Sequence, residues 1–182
     1  MKQVIVLFVI LLAIMMTTVC TLTIFFYDTK DVITAQTDYI YETGMQIKMS
    51  GQKVENQVFV DIPIGIIVWS SNNLIANCTF IFCYDEGILL IGDNNTIENC
   101  VFYYCCDGIE LQESSNNLFI NLWFFNNYHA GIDAICHSNN NNSFYNCLFY
   151  YNVLGAYFKQ SENNSFIDCC FFGNQQDYRV HD

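Results

Sequence analysis

The sequence predicts an all-β fold: a right-handed parallel β-helix (solenoid) of about five coils, preceded by an N-terminal hydrophobic transmembrane or signal-anchor helix. Two observations predict the solenoid: a repeat of 21 to 24 residues, and apolar residues that alternate within short runs bounded by glycine or asparagine. A third observation, an apolar run near the start of the chain, predicts the helix.

The apolar run comes first along the chain. From Val4 to Phe26 there is no charged residue, and the stretch is long enough to cross a bilayer. Because a secretory signal usually has a shorter apolar core that ends in small residues, we expect residues 1–27 to form an uncleaved anchor. The alternative is cleavage after Ala35. In both cases the bulk of the chain would be extracytoplasmic, at the cell membrane or cell surface.

The repeat occupies residues 65–182. A glycine followed by isoleucine or alanine recurs, an asparagine pair follows it, and a cysteine or leucine and then a phenylalanine stand at fixed positions after that pair. The three columns are Gly65, Gly87, Gly108, Gly131 and Gly155; Cys78, Cys100, Leu122, Cys147 and Cys169; and Phe80, Phe102, Phe124, Phe149 and Phe171. Five coincidences of three columns indicate five coils of one repeating unit. Upstream, residues 28–64 are interpreted as a linker that includes an N-terminal cap or a degenerate first coil.

Each coil is predicted to hold two or three short strands, because apolar residues alternate over short runs. Such a strand cannot bury its apolar face alone, but stacking pairs it with its copies above and below at a spacing of about 4.8 Å. The inward columns then form a continuous core. The asparagines are expected at the bends, where their side chains hydrogen-bond to the next coil and their backbones accept the left-handed conformation.

The motif Gly-Ile-x-Leu followed by Asn-Asn-x-Ile-x-Asn-Cys-x-Phe, as it stands from Gly87 to Phe102, resembles the repeats of pectin-lyase-like β-helices. These include the NosD-type family of periplasmic copper-binding proteins. The resemblance covers Gly65 to Asn174 and implies the fold rather than one activity, since this scaffold carries lyases, hydrolases, epimerases, adhesins and accessory proteins.

Charge excludes one class of partner. Eighteen acidic and six basic residues give a formal net charge of -12, which repels phosphate backbones and anionic lipid head groups. Nucleic acid is therefore not expected to bind. The acidity is interpreted either as a source of solubility or as carboxylates that bind a divalent cation.

Candidate catalytic residues stand at outward positions near the repeat glycine. Glu110 and Asp133 each lie two places after a glycine on adjacent coils, and Asp107 directly precedes one. On one face, these carboxylates could supply acid, base or calcium ligands to a polysaccharide-active enzyme. The competing interpretation is a solvated acidic surface. Because the coils contain only Lys159 before Arg179, catalysis on acidic sugars is disfavoured, and the prediction leans toward a protein that is not an enzyme.

A candidate metal site lies on the fourth coil, where His129, Cys136 and His137 are close in sequence. These residue types bind copper or zinc, although their spacing matches no standard site and loop histidines are commonly plain surface residues. The NosD-type resemblance implies a third function, a copper-handling accessory protein.

The cysteines divide into two groups. Cysteines of the repeat column are expected to pack inward as small apolar groups. Cys83 and Cys105 share a bend column one coil apart, within the distance that a disulfide permits, so we expect either a bridge or a stacked pair of free thiols.

The strongest signal for partner binding lies on the strand after the cysteine column. Its outward positions are apolar and aromatic, and the predicted binding surface consists of Tyr103, Trp123, Phe125, Tyr150 and Phe172. An exposed aromatic ladder suits flat sugar rings as well as proteins. The alternatives are a terminal segment that covers the ladder, or an inverted in/out phase. The sequence thus predicts a non-enzymatic, surface-exposed β-helix of adhesin-like or carbohydrate-binding type, with a polysaccharide or a cell-surface protein as partner.

The sequence ends at Asp182, about where a sixth coil would begin, with no obvious capping helix. Open sheet edges invite pairing. We therefore expect either end-to-end self-association or a shortened member of a longer family.

Overall fold

The computed structural model describes residues 32–34, 43–136 and 138–181, which form strands, turns and bends without a helix. The predicted anchor over residues 1–27 and the alternative cleavage position lie outside the described residues. Within the described part of the chain, no helix is long and apolar enough to span a membrane.

In the described residues, twenty strands, numbered β1 to β20 in chain order, form three parallel sheets, and successive strands pass from one sheet to the next. Sheet A contains β1 (Val32–Thr34), β4 (Val58–Ile62), β7 (Thr79–Cys83), β10 (Val101–Tyr103), β13 (Trp123–Phe125), β16 (Leu148–Tyr150) and β19 (Cys170–Phe172). Sheet B contains β2 (Thr43–Ile47), β5 (Ile64–Val68), β8 (Glu86–Leu90), β11 (Asp107–Leu111), β14 (Ala130–Ala134), β17 (Leu154–Lys159) and β20 (Gln176–His181). Sheet C contains β3 (Lys53–Glu55), β6 (Leu74–Ala76), β9 (Thr96–Glu98), β12 (Leu118–Ile120), β15 (Ser143–Tyr145) and β18 (Ser165–Ile167).

The solenoid has about six turns, which corrects the predicted count of about five. Strands before Gly65 already pair with the repeat: Met45 of β2 lies opposite Ile66, and Val54 of β3 lies opposite Ile75. This early coil keeps the inward apolar pattern but lacks the asparagine pair, which is why the sequence repeat begins one turn later.

The core is a set of ladders in which like residues stack from coil to coil. The inward phenylalanines of sheet A stack nearly parallel, with ring centroids 4.8 Å apart for Phe80 and Phe102 and 4.9 Å apart for Phe102 and Phe124. The isoleucines after glycine and most of the repeat cysteines are buried in the same core. Since the ring separation matches the spacing of paired strands, the predicted register and the predicted inward phase are confirmed.

Asparagine ladders hold the bends between sheets B and C. The side-chain oxygen of Asn95 accepts the backbone N–H of Asn73 at 2.8 Å, and that of Asn117 accepts the N–H of Asn95 at 2.8 Å. The first asparagine of each pair has a left-handed backbone, with φ of 55° at Asn94. Each buried amide therefore satisfies a polar group of the preceding coil, as predicted.

A second ladder begins with cysteines and continues with asparagines. The N–H of Cys105 donates to the side-chain oxygen of Asn127 at 2.9 Å, and Asn127 is linked in the same way to Asn152. Cys83 and Cys105 are both buried free thiols, so the structure contains no bridge between them. The neighbouring Cys105 thiol and burial raise the pKa of Cys83 well above its ordinary value. The thiol therefore stays protonated and reacts slowly in oxidation, because the thiolate is the reactive form.

Candidate functional site

Acidic side chains gather on the outer face of sheet B, where β8, β11 and β14 lie side by side. Glu86 lies opposite Asp107 in the strand register, and Glu110 lies opposite both Leu89 and Asp133. The backbone register thus places Glu110 and Asp133 side by side on adjacent coils, as the sequence predicts.

A histidine joins two of these carboxylates. The Nδ1 atom of His129 lies 2.8 Å from Oδ1 of Asp107 and 3.4 Å from Oδ2 of Asp133. The backbone N–H of Ala130 also donates to Oδ1 of Asp107, at 2.8 Å. One potential ligand atom from each of the three side chains lies within 4.8 Å of the others. We call Asp107, His129 and Asp133 the acidic cluster.

The carboxylates of this region are buried rather than solvated. The exposed fraction is 3% for Asp133, 6% for Glu86 and 7% for Asp107. Two of their oxygens, Oδ1 of Asp133 and Oε2 of Glu86, have no hydrogen-bond partner among the described residues. The alternative interpretation of a solvated acidic surface therefore does not describe Asp107 and Asp133, whose side chains are buried. An unsatisfied buried carboxylate oxygen costs free energy.

Burial shifts the proton affinities of the same side chains upward. Loss of water raises the pKa of Glu86 to about 9, and the Glu110 carboxyl beside it adds to the rise. Burial raises the pKa of Asp133 to about 7, with Asp107 adding to this shift and His129 opposing it. The pKa of Asp107 is also raised by burial, and His129 again acts in the opposite direction.

Glu110 lies at the edge of the acidic cluster and is only half-buried. The Nε2 atom of Gln112 donates to its Oε1 at 2.7 Å, which fixes the direction of this carboxylate. Further along the same column, the guanidinium of Arg179 lies 4.9 Å from the ring centroid of Tyr157. The nearest basic side chain in this column is thus two coils from Asp133 and is stacked on a ring, with no ion pair to a carboxylate among the described residues.

The outer face of sheet A is aromatic. The rings of Phe125 and Tyr150 lie 5.4 Å apart, and those of Tyr150 and Phe172 lie 5.4 Å apart. Trp123 contacts Phe125 edge-on at 6.0 Å. We call the outward aromatic side chains of this face the aromatic strip, and its members are Tyr103, Trp123, Phe125, Tyr150 and Phe172. All five are exposed or half-buried.

The aromatic strip begins at a defined coil and extends onto the adjoining bend. In the preceding coil the equivalent outward side chain, Ile81, is buried, so the exposed surface begins at Tyr103. At the adjoining bend, Tyr104 lies 4.2 Å from Tyr103 and 5.8 Å from Tyr128 between ring centroids. Because Tyr104 belongs to a left-handed bend rather than to a strand, the strip extends around the corner of the solenoid.

Comparison with known families identifies the architecture. A family model described as "Right handed beta helix region" matches residues 39–181. The chain belongs to the right-handed β-helix family. No curated protein and no solved structure matches it. Members of the right-handed β-helix family include both enzymes and binding proteins, so the function must be argued from the two outer faces.

Of the predicted catalytic candidates, this β-helix brings Asp107 and Asp133 together through His129, with Glu110 beside them. Of the predicted metal ligands, His129 belongs to the acidic cluster and Cys136 does not. The carbonyl of Cys136 instead accepts a hydrogen bond from Nδ2 of Asn139, and His137 lies outside the described residues. The catalytic and metal-binding roles themselves stay predictions.

Sequence reasoning missed Glu86 and the partnership between His129 and the carboxylates. A signal for Glu86 exists, because Glu86 and Asp107 directly precede repeat glycines on consecutive coils. The histidine contact depends on the direction of a side chain at a bend, which alternation along a strand does not specify. Its backbone position follows the register, since the N–H of His129 donates to the carbonyl of Cys106 at 2.9 Å.

Replacing Glu86 with glutamine is expected to stabilise this β-helix at pH 8 and to flatten its pH dependence. The ordinary pKa of this carboxyl group is 4.5, and in the native state the pKa of Glu86 is about 9. Between these two pH values the native Glu86 holds a proton that the unfolded chain has lost. The native state therefore binds more protons, and the free energy of unfolding falls as the pH rises through this window. Glutamine needs no proton, so we expect a gain of roughly 2 to 4 kcal/mol at pH 8 and little change at pH 4.5.

Urea unfolding at both pH values measures this difference. The exposed Glu162, replaced by glutamine, is the matched control and should show little gain. An unchanged pH slope in the Glu86→Gln protein would mean that Glu86 ionises normally in the folded chain.

Proposed function

We propose that this chain is a non-enzymatic, surface-exposed binding protein that holds an uncharged or amino-bearing polysaccharide on the aromatic strip. The observation that supports the proposal is the run of outward aromatic side chains over four consecutive coils of sheet A. Anchoring through residues 1–27 and a place at the cell surface belong to the same proposal.

The chemistry of the strip favours sugar rings. Aromatic faces bind the C–H faces of sugars through burial of apolar area, and tyrosine adds a hydroxyl group that can hydrogen-bond to the ligand or to water. Trp123 lies in the middle of the strip and is exposed, so it offers the largest ring surface. A regular spacing of rings from coil to coil matches a ligand that repeats along its length.

The charge of the chain limits which classes of glycan can bind. A formal net charge of -12 repels polyanions, and only six basic residues are present to pair with uronate or sulfate groups. We therefore propose a neutral glycan or one with amino groups.

Glycan-array binding and polysaccharide pull-down with the full chain test this proposal. We expect retention of a neutral or amino-bearing glycan, and at least a tenfold loss of affinity in the Trp123→Ala variant, on the scale of one or two lost aromatic contacts. Trp69 is also exposed and directly follows β5 of sheet B, whereas the strip belongs to sheet A, so Trp69→Ala is the matched control and should bind like the wild type. Equal binding by all three proteins, or a preference for polyanions, would contradict the proposal.

A second candidate function is a polysaccharide-active enzyme, and the acidic cluster is the observation that favours it. A carboxyl group with a pKa of about 7, as at Asp133, is suited to proton transfer near neutral pH. Product analysis for new reducing or unsaturated ends separates the two functions. Turnover that disappears in the Asp133→Asn variant would replace the binding proposal with the enzyme.

A further inference from the structure

We propose that Asp107, His129 and Asp133 form a binding site for one divalent transition-metal ion, with Zn²⁺ as its representative. The site lies on the outer face of sheet B, away from the aromatic strip on sheet A, and the inference does not rest on glycan binding. Three facts carry it: the separations of the ligand atoms, an unpartnered buried carboxylate and the composition of the donor set.

The separations are close to those of a coordinated ion. Two ligand atoms held about 2.1 Å from a tetrahedral Zn²⁺ lie about 3.4 Å apart. In the acidic cluster, Nδ1 of His129 lies 2.8 Å from Oδ1 of Asp107 and 3.4 Å from Oδ2 of Asp133. Small side-chain adjustments therefore suffice for an ion to replace the proton that now joins the histidine to the carboxylates.

Asp133 has an unpartnered oxygen that would gain a partner if the ion were bound by both oxygens of this carboxylate. Its side chain is buried, its Oδ2 faces His129, and its Oδ1 has no hydrogen-bond partner among the described residues. Asp107, by contrast, accepts a hydrogen bond from the backbone N–H of Ala130 and shares one with Nδ1 of His129. A purely structural ion pair would need only Asp107 and His129, so the second carboxylate points to a cation between the three groups.

The donor set favours a transition metal over calcium or magnesium. Ca²⁺ takes six to eight oxygen ligands and Mg²⁺ an octahedral oxygen shell, whereas the cluster offers one imidazole nitrogen and two carboxylates. Three protein ligands leave a fourth position of a tetrahedral ion open. The side chain of His129 is 42% exposed, so this position can be reached from solvent.

Zn²⁺ titration of the full chain by calorimetry, with the bound metal counted by mass spectrometry after dialysis, tests the site. We expect one bound ion, which is lost or bound at least tenfold more weakly in the Asp133→Asn and His129→Gln variants. Mutation of a residue that only hydrogen-bonds to a metal ligand already lowers metal affinity 10- to 100-fold, so loss of a ligand should cost at least as much. The matched control is Asp168→Asn, since Asp168 is an exposed bend residue whose column holds asparagine in other coils. This control should retain the ion with unchanged affinity.

Thermal unfolding gives an independent readout. Zn²⁺ should raise the melting temperature of the wild type and of Asp168→Asn, but not that of the two ligand variants, each of which must itself unfold cooperatively. Equal zinc binding in all four proteins would overturn the proposal, since the ion would then be held by other groups, such as the thiols. Tighter binding of Ca²⁺ than of Zn²⁺ would also overturn it. Glycan binding by the aromatic strip should be the same in every variant, so failure of the metal site is distinguishable from failure of the proposed function.

Discussion

Replacing Ile109 with aspartate is expected to unfold the coils around it. Ile109 is fully buried and stacks in register between Ile88 and Ile132 in the inward ladder of sheet B. A carboxylate at this position would meet only apolar neighbours, and the loss should exceed about 4 kcal/mol, a large part of the stability of a typical domain. Circular dichroism during thermal and urea unfolding measures the effect.

The matched control places the same substitution on the outer surface. Ile167 is exposed on β18, and its replacement by aspartate should change the free energy of unfolding by about 0.5 kcal/mol or less. Similar stability of the two variants would contradict the inward position of Ile109, and a greater loss in Ile167→Asp would mean that the inward and outward faces have been exchanged.

Replacing Gly108 with alanine is expected to have the second largest effect. A Cβ atom built there would lie 2.5 Å from the ring of Phe124 and 2.6 Å from the carbonyl oxygen of Gly131. Neither neighbour can withdraw, because the ring belongs to the stacked core and the carbonyl to the next strand. We expect a loss of about 3 kcal/mol or more, measured by urea unfolding.

Gly51 supplies the comparison for this substitution. A Cβ atom at Gly51 meets nothing within 4 Å, and only its positive φ of 74° opposes alanine, at a cost of about 1 kcal/mol. A Gly108→Ala variant no less stable than Gly51→Ala would refute close coil stacking at this column.

Most of the fold could be predicted from the sequence because every coil of a solenoid repeats the same pattern of inward and outward residues. The columns headed by Gly65, Cys78 and Phe80 specify which residues face inward, and this determines the register of sheets A and B. For the first turn the sequence left a cap and a degenerate coil as alternatives, because Gly44 is followed by Met45 and no asparagine pair comes after it. A coil can therefore keep the packing pattern after losing the polar signature by which the repeat is recognised.

The functional faces could be predicted only in part. Alternation assigned the aromatic strip and the column of Glu110 and Asp133 to outer faces, since both lie on strands. Burial of Asp133 could not be read from the sequence, because it depends on side chains from neighbouring coils that cover an outward position. The contact of His129 with Asp107 spans a bend, where side-chain direction has no simple period.

The fluorescence of single-tryptophan variants tests the central claim, glycan binding by the aromatic strip, most directly. The chain has two tryptophans, Trp69 and Trp123, so Trp69→Phe leaves a reporter on the strip and Trp123→Phe leaves one away from it. Titration with the glycan retained in the pull-down should shift the emission of the Trp69→Phe protein to shorter wavelength and leave that of Trp123→Phe unchanged. A shift in the Trp123→Phe protein alone would contradict the account and would move the binding surface to another face of the solenoid.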